Sequence, residues 1–120
     1  MATILLADDD AAVRDLVRLA LTTDGHAVHV TQDGLEALDY LSGKGTAIEV
    51  LVTDVDMPQL DGISLAEKAL AINPQLAVVL MSGFSDQLER AARLRARRLL
   101  SLSKPFTLEQ IKQVVRTVLA

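Results

Sequence analysis

Two hydrophobic rhythms alternate along the chain. Ile4-Leu5-Leu6-Ala7, Val50-Leu51-Val52 and Ala77-Val78-Val79-Leu80-Met81 are short apolar runs without polar interruption, the pattern of strands buried on both faces. Ala27-Val28-His29-Val30 and Leu99–Leu102 are strand signals of a weaker, half-polar kind. Between these runs the apolar residues recur at helical spacing. Val13, Leu16, Val17, Ala20 and Leu21 predict a first helix, with Asp10 as its N-cap and Gly25 as its stop. Leu35, Leu38 and Leu41 mark a second helix ending near Gly43 and Gly45, and Gly62 to Ile72 a third, halted by Asn73-Pro74. Residues 86–96 read as a basic helix. A last helix opens at Thr107 with a capping box to Gln110 and carries Leu108, Ile111, Val115 and Val118 as its stripe.

Five strands alternating with five helices predict a doubly wound α/β fold with a five-stranded parallel sheet, in one domain over residues 1–120. The fully apolar first, third and fourth strands belong at the centre and the weaker second and fifth at the edges. That is the order 2-1-3-4-5 of flavodoxin-like (βα)5 folds. Ligands of such sheets sit outside the carboxyl ends of the strands, at the switch point between the first and third. The residues there are Asp8 and Asp9 after the first strand, Asp54 and Asp56 at the third, Ser82 at the fourth and Lys104 at the fifth.

Four carboxylates, one hydroxyl and one ammonium are therefore expected in one crevice. One lysine cannot neutralise so many like charges, and a hard divalent cation can. Mg²⁺, or Mn²⁺ in its place, prefers oxygen ligands of this kind. Such a metal beside a lysine, a hydroxyl and a free carboxylate suits phosphoryl transfer to an aspartate. Asp54 is the best candidate nucleophile, since it ends a central apolar strand ahead of the loop Met57-Pro58-Gln59-Leu60-Asp61-Gly62.

The charge is uneven. Residues 1–61 carry 12 acids against Arg14, Arg18 and Lys44, and residues 62–120 carry 4 acids against 9 bases, five of them arginines between 90 and 98. The overall net charge is −4 and there is no cysteine, which removes disulfides and thiolate metal sites and fits a reducing cytoplasm. No apolar run is long enough to span a bilayer, and Met1–Asp8 lack the basic start and cleavage site of a signal peptide. A cytoplasmic protein with no membrane partner is expected.

These residues resemble the receiver (CheY-like) family of two-component response regulators. The motifs are Ile4-Leu5-Leu6-Ala7-Asp8-Asp9-Asp10, Asp33-Gly34-Leu35-Glu36-Ala37-Leu38, Thr53-Asp54-Val55-Asp56-Met57-Pro58 with Asp61-Gly62, Met81-Ser82-Gly83 and Ser103-Lys104-Pro105-Phe106. Each is common alone; their order and spacing cover the whole chain. The resemblance implies Asp54 as phosphoacceptor, Asp8 and Asp9 as acidic-pocket residues with Asp9 a direct metal ligand, and the Asp56 backbone carbonyl on the metal. It implies Ser82 as switch hydroxyl, Lys104 on the phosphoryl group and a cis Lys104–Pro105 peptide. Implied partners are a histidine kinase or histidine phosphotransfer protein, and a downstream protein at the face formed by residues 83–103. The stretches around Ser82 and Lys104 are similar to those of hybrid-kinase receivers and of CpdR-type stand-alone regulators. Two departures touch output. Ser101 stands where the family has an aromatic switch residue, and Arg95-Ala96-Arg97-Arg98 replaces its Gly-Ala pair.

Other readings compete. Asp8-Asp9-Asp10 could simply favour a helix N-terminus, and Asp10 itself reads as a cap outside the site. Asp61-Gly62 reads as turn chemistry and a helix start. The arginine run is a solvated face or a docking surface for an acidic partner, with Arg90, Arg93 and Arg97 on one helix face. Nucleic acid is not an expected partner, because no recognition motif accompanies the arginines and only one tyrosine and two phenylalanines occur. His26 and His29 read as structural. Asp54-Val55-Asp56 also resembles the nucleophile pair of haloacid-dehalogenase phosphatases, although Met57-Pro58 and the early Asp8-Asp9 pair do not. A phosphoryl shuttle without switching, or a pseudo-receiver, remains possible on sequence alone. An enzyme with turnover is not expected.

Overall fold

The computed structural model describes residues 1–44, 47–83 and 90–120. Strands β1 (Thr3–Ala7), β2 (Ala27–Thr31), β3 (Val50–Asp54), β4 (Ala77–Ser82) and β5 (Arg98–Ser103) form one parallel sheet in the order β2-β1-β3-β4-β5. The helices are α1 (Ala11–Thr23), α2 (Gly34–Lys44), α3 (Gly62–Ile72) and, in our numbering of the described elements, α4 (Leu108–Leu119). β3 and β4 are buried along their whole length, and only the edge strands β2 and β5 show polar, exposed positions. The hydrophobic strength of each strand thus decides its place in the sheet.

Alternation along the strands divides the core into two layers. Leu5, Leu51, Val78 and Leu80 pack with α2 and α3, through Ala37, Leu41, Leu65 and Ala69. Ile4, Leu6, Val50, Val52, Val79 and Met81 pack with α1 and α4, through Val17, Leu21, Ile111 and Val115. The helix ends follow local chemistry. Asp10 and Asp61 cap α1 and α3, each accepting two backbone N–H groups, and Thr107 with Gln110 makes the reciprocal capping box of α4. Gly25, at φ +91°, takes the left-handed conformation that ends α1. The Lys104–Pro105 peptide is cis, as the resemblance implied.

The two histidines serve packing. His26 accepts the Ala2 N–H on Nδ1 at 3.1 Å, and His29 stacks on Tyr40 with ring centroids 3.7 Å apart.

The basic helix expected over residues 86–96 differs. Residues 86–89 lie outside the described residues. Among the described residues of this stretch only Arg90 and Ala91 are helical, and a turn at Ala92–Arg93 is followed by irregular chain before β5. The bonds from Arg93 N–H to the Arg90 carbonyl and from Leu94 N–H to the Ala91 carbonyl are those of a closing turn, at 3.1 and 3.0 Å. Arg97 therefore does not share a helix face with Arg90 and Arg93; it precedes β5 and donates to the Gln75 side chain.

α3 begins where the chain leaves β3, and Gly62 is the point of closest approach. A Cβ there would stand 2.0 Å from the Asp54 carbonyl oxygen and 2.8 Å from its carbon. Both obstacles are backbone, so neither can swing away. Gly62→Ala is expected to destabilise the fold by about 3 kcal/mol, read as a lower urea midpoint at unchanged m-value.

Candidate functional site

Side chains two residues apart in a strand share a face. Ile4, Leu6 and Asp8 form one such row, Val50, Val52 and Asp54 a second, and Leu100, Leu102 and Lys104 a third. The apolar members of all three rows lie in the layer under α1 and α4. Each row ends on a charged residue at the mouth of its strand, so the same register that fills the core aims two carboxylates and an ammonium at each other. Lys104 Nζ stands 3.1 Å from Asp54 Oδ1 and 3.7 Å from Asp8 Oδ2.

Asp8 is fully buried and Asp54 is 5% exposed, whereas Asp9 is exposed. Carboxylate oxygens of these three residues all lie within 4.8 Å of one another. One oxygen of Asp8 is satisfied, Oδ1 accepting the Asp10 N–H at 2.9 Å. The other, Oδ2, is buried and accepts no hydrogen bond. A buried, unsatisfied carboxylate oxygen among two further carboxylates suits a hard divalent cation, so the residues present fit Mg²⁺.

The electrostatics agree. Burial raises the Asp54 carboxyl, and the neighbouring Asp8 charge adds to this; the hydrogen bond from Lys104 pulls it back only in part, to about 6. Asp8 is raised as well, chiefly by burial. Burial works against the Lys104 charge, but the Asp54 hydrogen bond and the Asp8 and Asp54 charges outweigh it and raise the ammonium. Asp54 is thus a carboxylate at neutral pH, held at some cost beside another acid.

Ser82 ends β4 and is buried. Its carbonyl accepts the Lys104 N–H at 2.9 Å, which ties the β4 and β5 mouths together. The Asp56 side chain does not join the cluster. β3 ends at Asp54, the Val55 N–H turns to the Met81 carbonyl at 3.0 Å, and the Asp56 side chain is left exposed. Three carboxylates meet where four were expected.

Several supporting residues carried no clear sequence signal. Arg14 donates from α1 to the Asp8 carbonyl at 3.0 Å. Gln59 adopts φ +70°, and the Leu60 N–H reaches back to the Pro58 carbonyl at 2.8 Å in a three-residue turn. Arg90 pairs with Asp61 at 3.0 Å while Asp61 caps α3. Burial opposes ionisation of Asp61, but the Ser64 N–H and Arg90 prevail and hold its carboxyl below the usual range.

Comparison with known proteins gives a consistent picture. The family model described as the response regulator receiver domain matches residues 4–116. The response regulator MprA of Mycobacterium sp. (strain KMS) is 35% identical over 116 residues, 97% of this chain and 50% of that protein. The chain therefore spans about half the length of the curated relatives it matches. A response regulator receiver protein from Sinorhizobium medicae WSM419 superposes with a TM-score of 0.86 at 35% identity, covering 98% of this chain and 94% of that one. TrrA of Thermotoga maritima, solved in complex with Mg²⁺ and BeF, shares the fold with a TM-score of 0.83 at 23% identity, over 98% of this chain and 99% of that one.

The Asp54 shift sets a pH dependence. Its carboxyl titrates near 6 in the fold against 3.8 ordinarily, so the native state holds the proton longer than the unfolded chain. Stability contributed by this group is fully present below the unfolded value and is lost as pH rises towards 6. Asn mimics the protonated carboxyl without titrating. In metal-free buffer, Asp54→Asn is expected to be more stable than the parent by about 2 kcal/mol at pH 7.5. The gap should close near pH 4 in urea titrations at both values.

Proposed function

Because the chain belongs to the response regulator receiver domain family, we propose that Asp54 is its phosphoacceptor and that phosphorylation alters a protein-binding surface. The observation that carries this reading is the pairing of a nearly buried Asp54 carboxylate with Lys104 at 3.1 Å, beside Asp8 and Asp9. Above pH ~6 Asp54 is ionised and nucleophilic. One of its carboxylate oxygens attacks phosphorus in line. The P–O bond to Asp54 forms as the bond to the donor breaks, and the electron pair leaves with the donor's imidazole or carboxylate. In this reading Lys104, which already contacts Asp54, binds the phosphoryl oxygens, and the Ser82 hydroxyl donates to one of them afterwards.

Asp8, Asp9, Asp54 and the Asp56 carbonyl would hold Mg²⁺. When bound, the ion supplies the charge neutralisation that lets an anionic donor approach this acidic mouth. The protein-side contribution is fixed placement: Arg14 and the Asp10 N–H hold Asp8, and Gly62 lets α3 support Asp54 from behind.

Donors of this chemistry are phosphohistidine proteins or small acyl phosphates, and each chain takes one phosphoryl group without turnover. This reading assigns the downstream partner to the flank to which Gly83 and residues 90–103 contribute, in a cytoplasmic setting. The sequence around Ser82 and Lys104 supports a further likeness to hybrid-kinase and CpdR-type receivers. With the family established, nothing favours the haloacid-dehalogenase reading or a shuttle without output.

Acetyl phosphate with Mg²⁺ is expected to add one acid-stable, hydroxylamine-labile phosphate per chain, absent without metal and absent in Asp54→Asn. Intact-mass spectrometry decides it, and incorporation that persists in the Asn variant refutes the assignment. Beryllofluoride should also shift the amides of Ser82, Gly83 and residues 90–103 in NMR spectra. Shifts confined to the acidic mouth would instead indicate a phosphoryl relay.

A further inference from the structure

A groove of about 470 Å³ lies on the flank of the domain, away from the acidic mouth. α3 contributes Ile63, Leu70 and Ala71 to it, and the chain after Ala91 contributes Arg93, Leu94 and Arg95. It exists because the helix expected to continue to residue 96 stops at Ala91, so the following residues line a wall facing α3 instead of coiling further.

We propose that this groove docks a segment of a partner protein in which carboxylates alternate with apolar side chains. Its floor is apolar. Its rim is basic and only partly committed, since Arg90 is engaged with Asp61 whereas Arg93 and Arg95 are exposed and have no ion-pair partner among the described residues. Guanidinium groups beside an apolar trough select planar carboxylates flanked by aliphatic side chains. Nucleic acid suits the groove poorly. Among the described residues no aromatic ring lines it for base stacking, and Glu67 on the α3 wall repels a phosphate backbone.

The groove also has a mechanical route to the acceptor residue. Arg90 holds Asp61 at 3.0 Å and reaches Ser64 Oγ at 3.4 Å. Asp61 caps α3, and the next residue, Gly62, abuts the Asp54 carbonyl. This connection rests on the reading of Asp54 as phosphoacceptor; the docking chemistry does not.

Selection of a displayed library of random 16-residue peptides on the intact 120-residue chain tests the proposal. The expected consensus interleaves Asp or Glu with Leu, Ile or Phe. Selected peptides should shift the amides of Ile63, Leu70 and Arg93–Arg95, and should bind at least tenfold more weakly to the Arg93→Glu, Arg95→Glu double variant. The same variant should accept phosphate from acetyl phosphate normally, showing that it is folded. Peptides without acid enrichment, equal binding to the double variant, tighter binding of a 16-nucleotide single strand in the same groove, or peptide-free dimerisation through it by sedimentation would each overturn the proposal. Groove binding in a chain that fails to phosphorylate would overturn only the phosphoacceptor reading.

Discussion

Two carboxylates buried at the end of an apolar sheet, with one ammonium between them, set the terms for the rest of this structure. Asp8 and Asp54 are removed from water by the same strand register that buries Ile4, Leu6, Val50 and Val52. Lys104 alone leaves the Asp54 carboxyl raised to about 6 and the Asp8 Oδ2 atom without a hydrogen bond. A buried polar group left in this condition is destabilising. The fold holds it in place because β1 and β3 are central strands flanked on both sides by others. The unfavourable charge is thus concentrated where a divalent cation can relieve it.

What surrounds the pair is built to keep it fixed. Arg14 holds the Asp8 carbonyl and the Asp10 amide holds Asp8 Oδ1. Behind Asp54, the Thr53 hydroxyl donates to the Asp54 carbonyl at 2.9 Å and α3 presses against it at Gly62. Gln59 accepts a left-handed backbone that a non-glycine residue adopts at a cost of about 1 kcal/mol or more. The loop therefore returns to α3 within a few residues and leaves the mouth open above the carboxylates.

The sheet was legible because burial on both faces leaves only apolar residues, and no local preference competes with that signal at Val50–Val52 or Ala77–Met81. The helix caps were legible for a similar reason: Asp10, Asp61 and Thr107 satisfy backbone donors within their own turn. The site's acidic trio and its lysine followed from strand ends. At the site only the Asp56 side chain departs from expectation, because its direction depends on where β3 stops, which the Val55–Met81 hydrogen bond decides across strands. The helix end at Ala91 was misread because arginine, alanine and leucine all favour helix, while the packing of Leu94 and Ala96 onto the α2–α3 layer is tertiary. The Arg90–Asp61 pair spans 29 residues and no local pattern announces it.

Ser101 shows how these facts combine. It is exposed on the edge strand β5, paired in register with Leu80, and carries no ring that could turn inward when a neighbouring hydroxyl moves. On the proposed reading of Asp54 as phosphoacceptor, a signal leaving it travels by groups that are coupled to it. Ser82 is one, through its carbonyl bond to the Lys104 amide. The start of α3 is another, since Gly62 lies against the Asp54 backbone and the preceding Asp61 is paired with Arg90. In a receiver with an aromatic at this position, β5 has a part that can move between two rotamers. Here the flank where α3 meets the arginine-bearing chain is joined to Asp54 by contacts that are already made, which on the proposed reading makes it the more direct route from the phosphoacceptor to a partner.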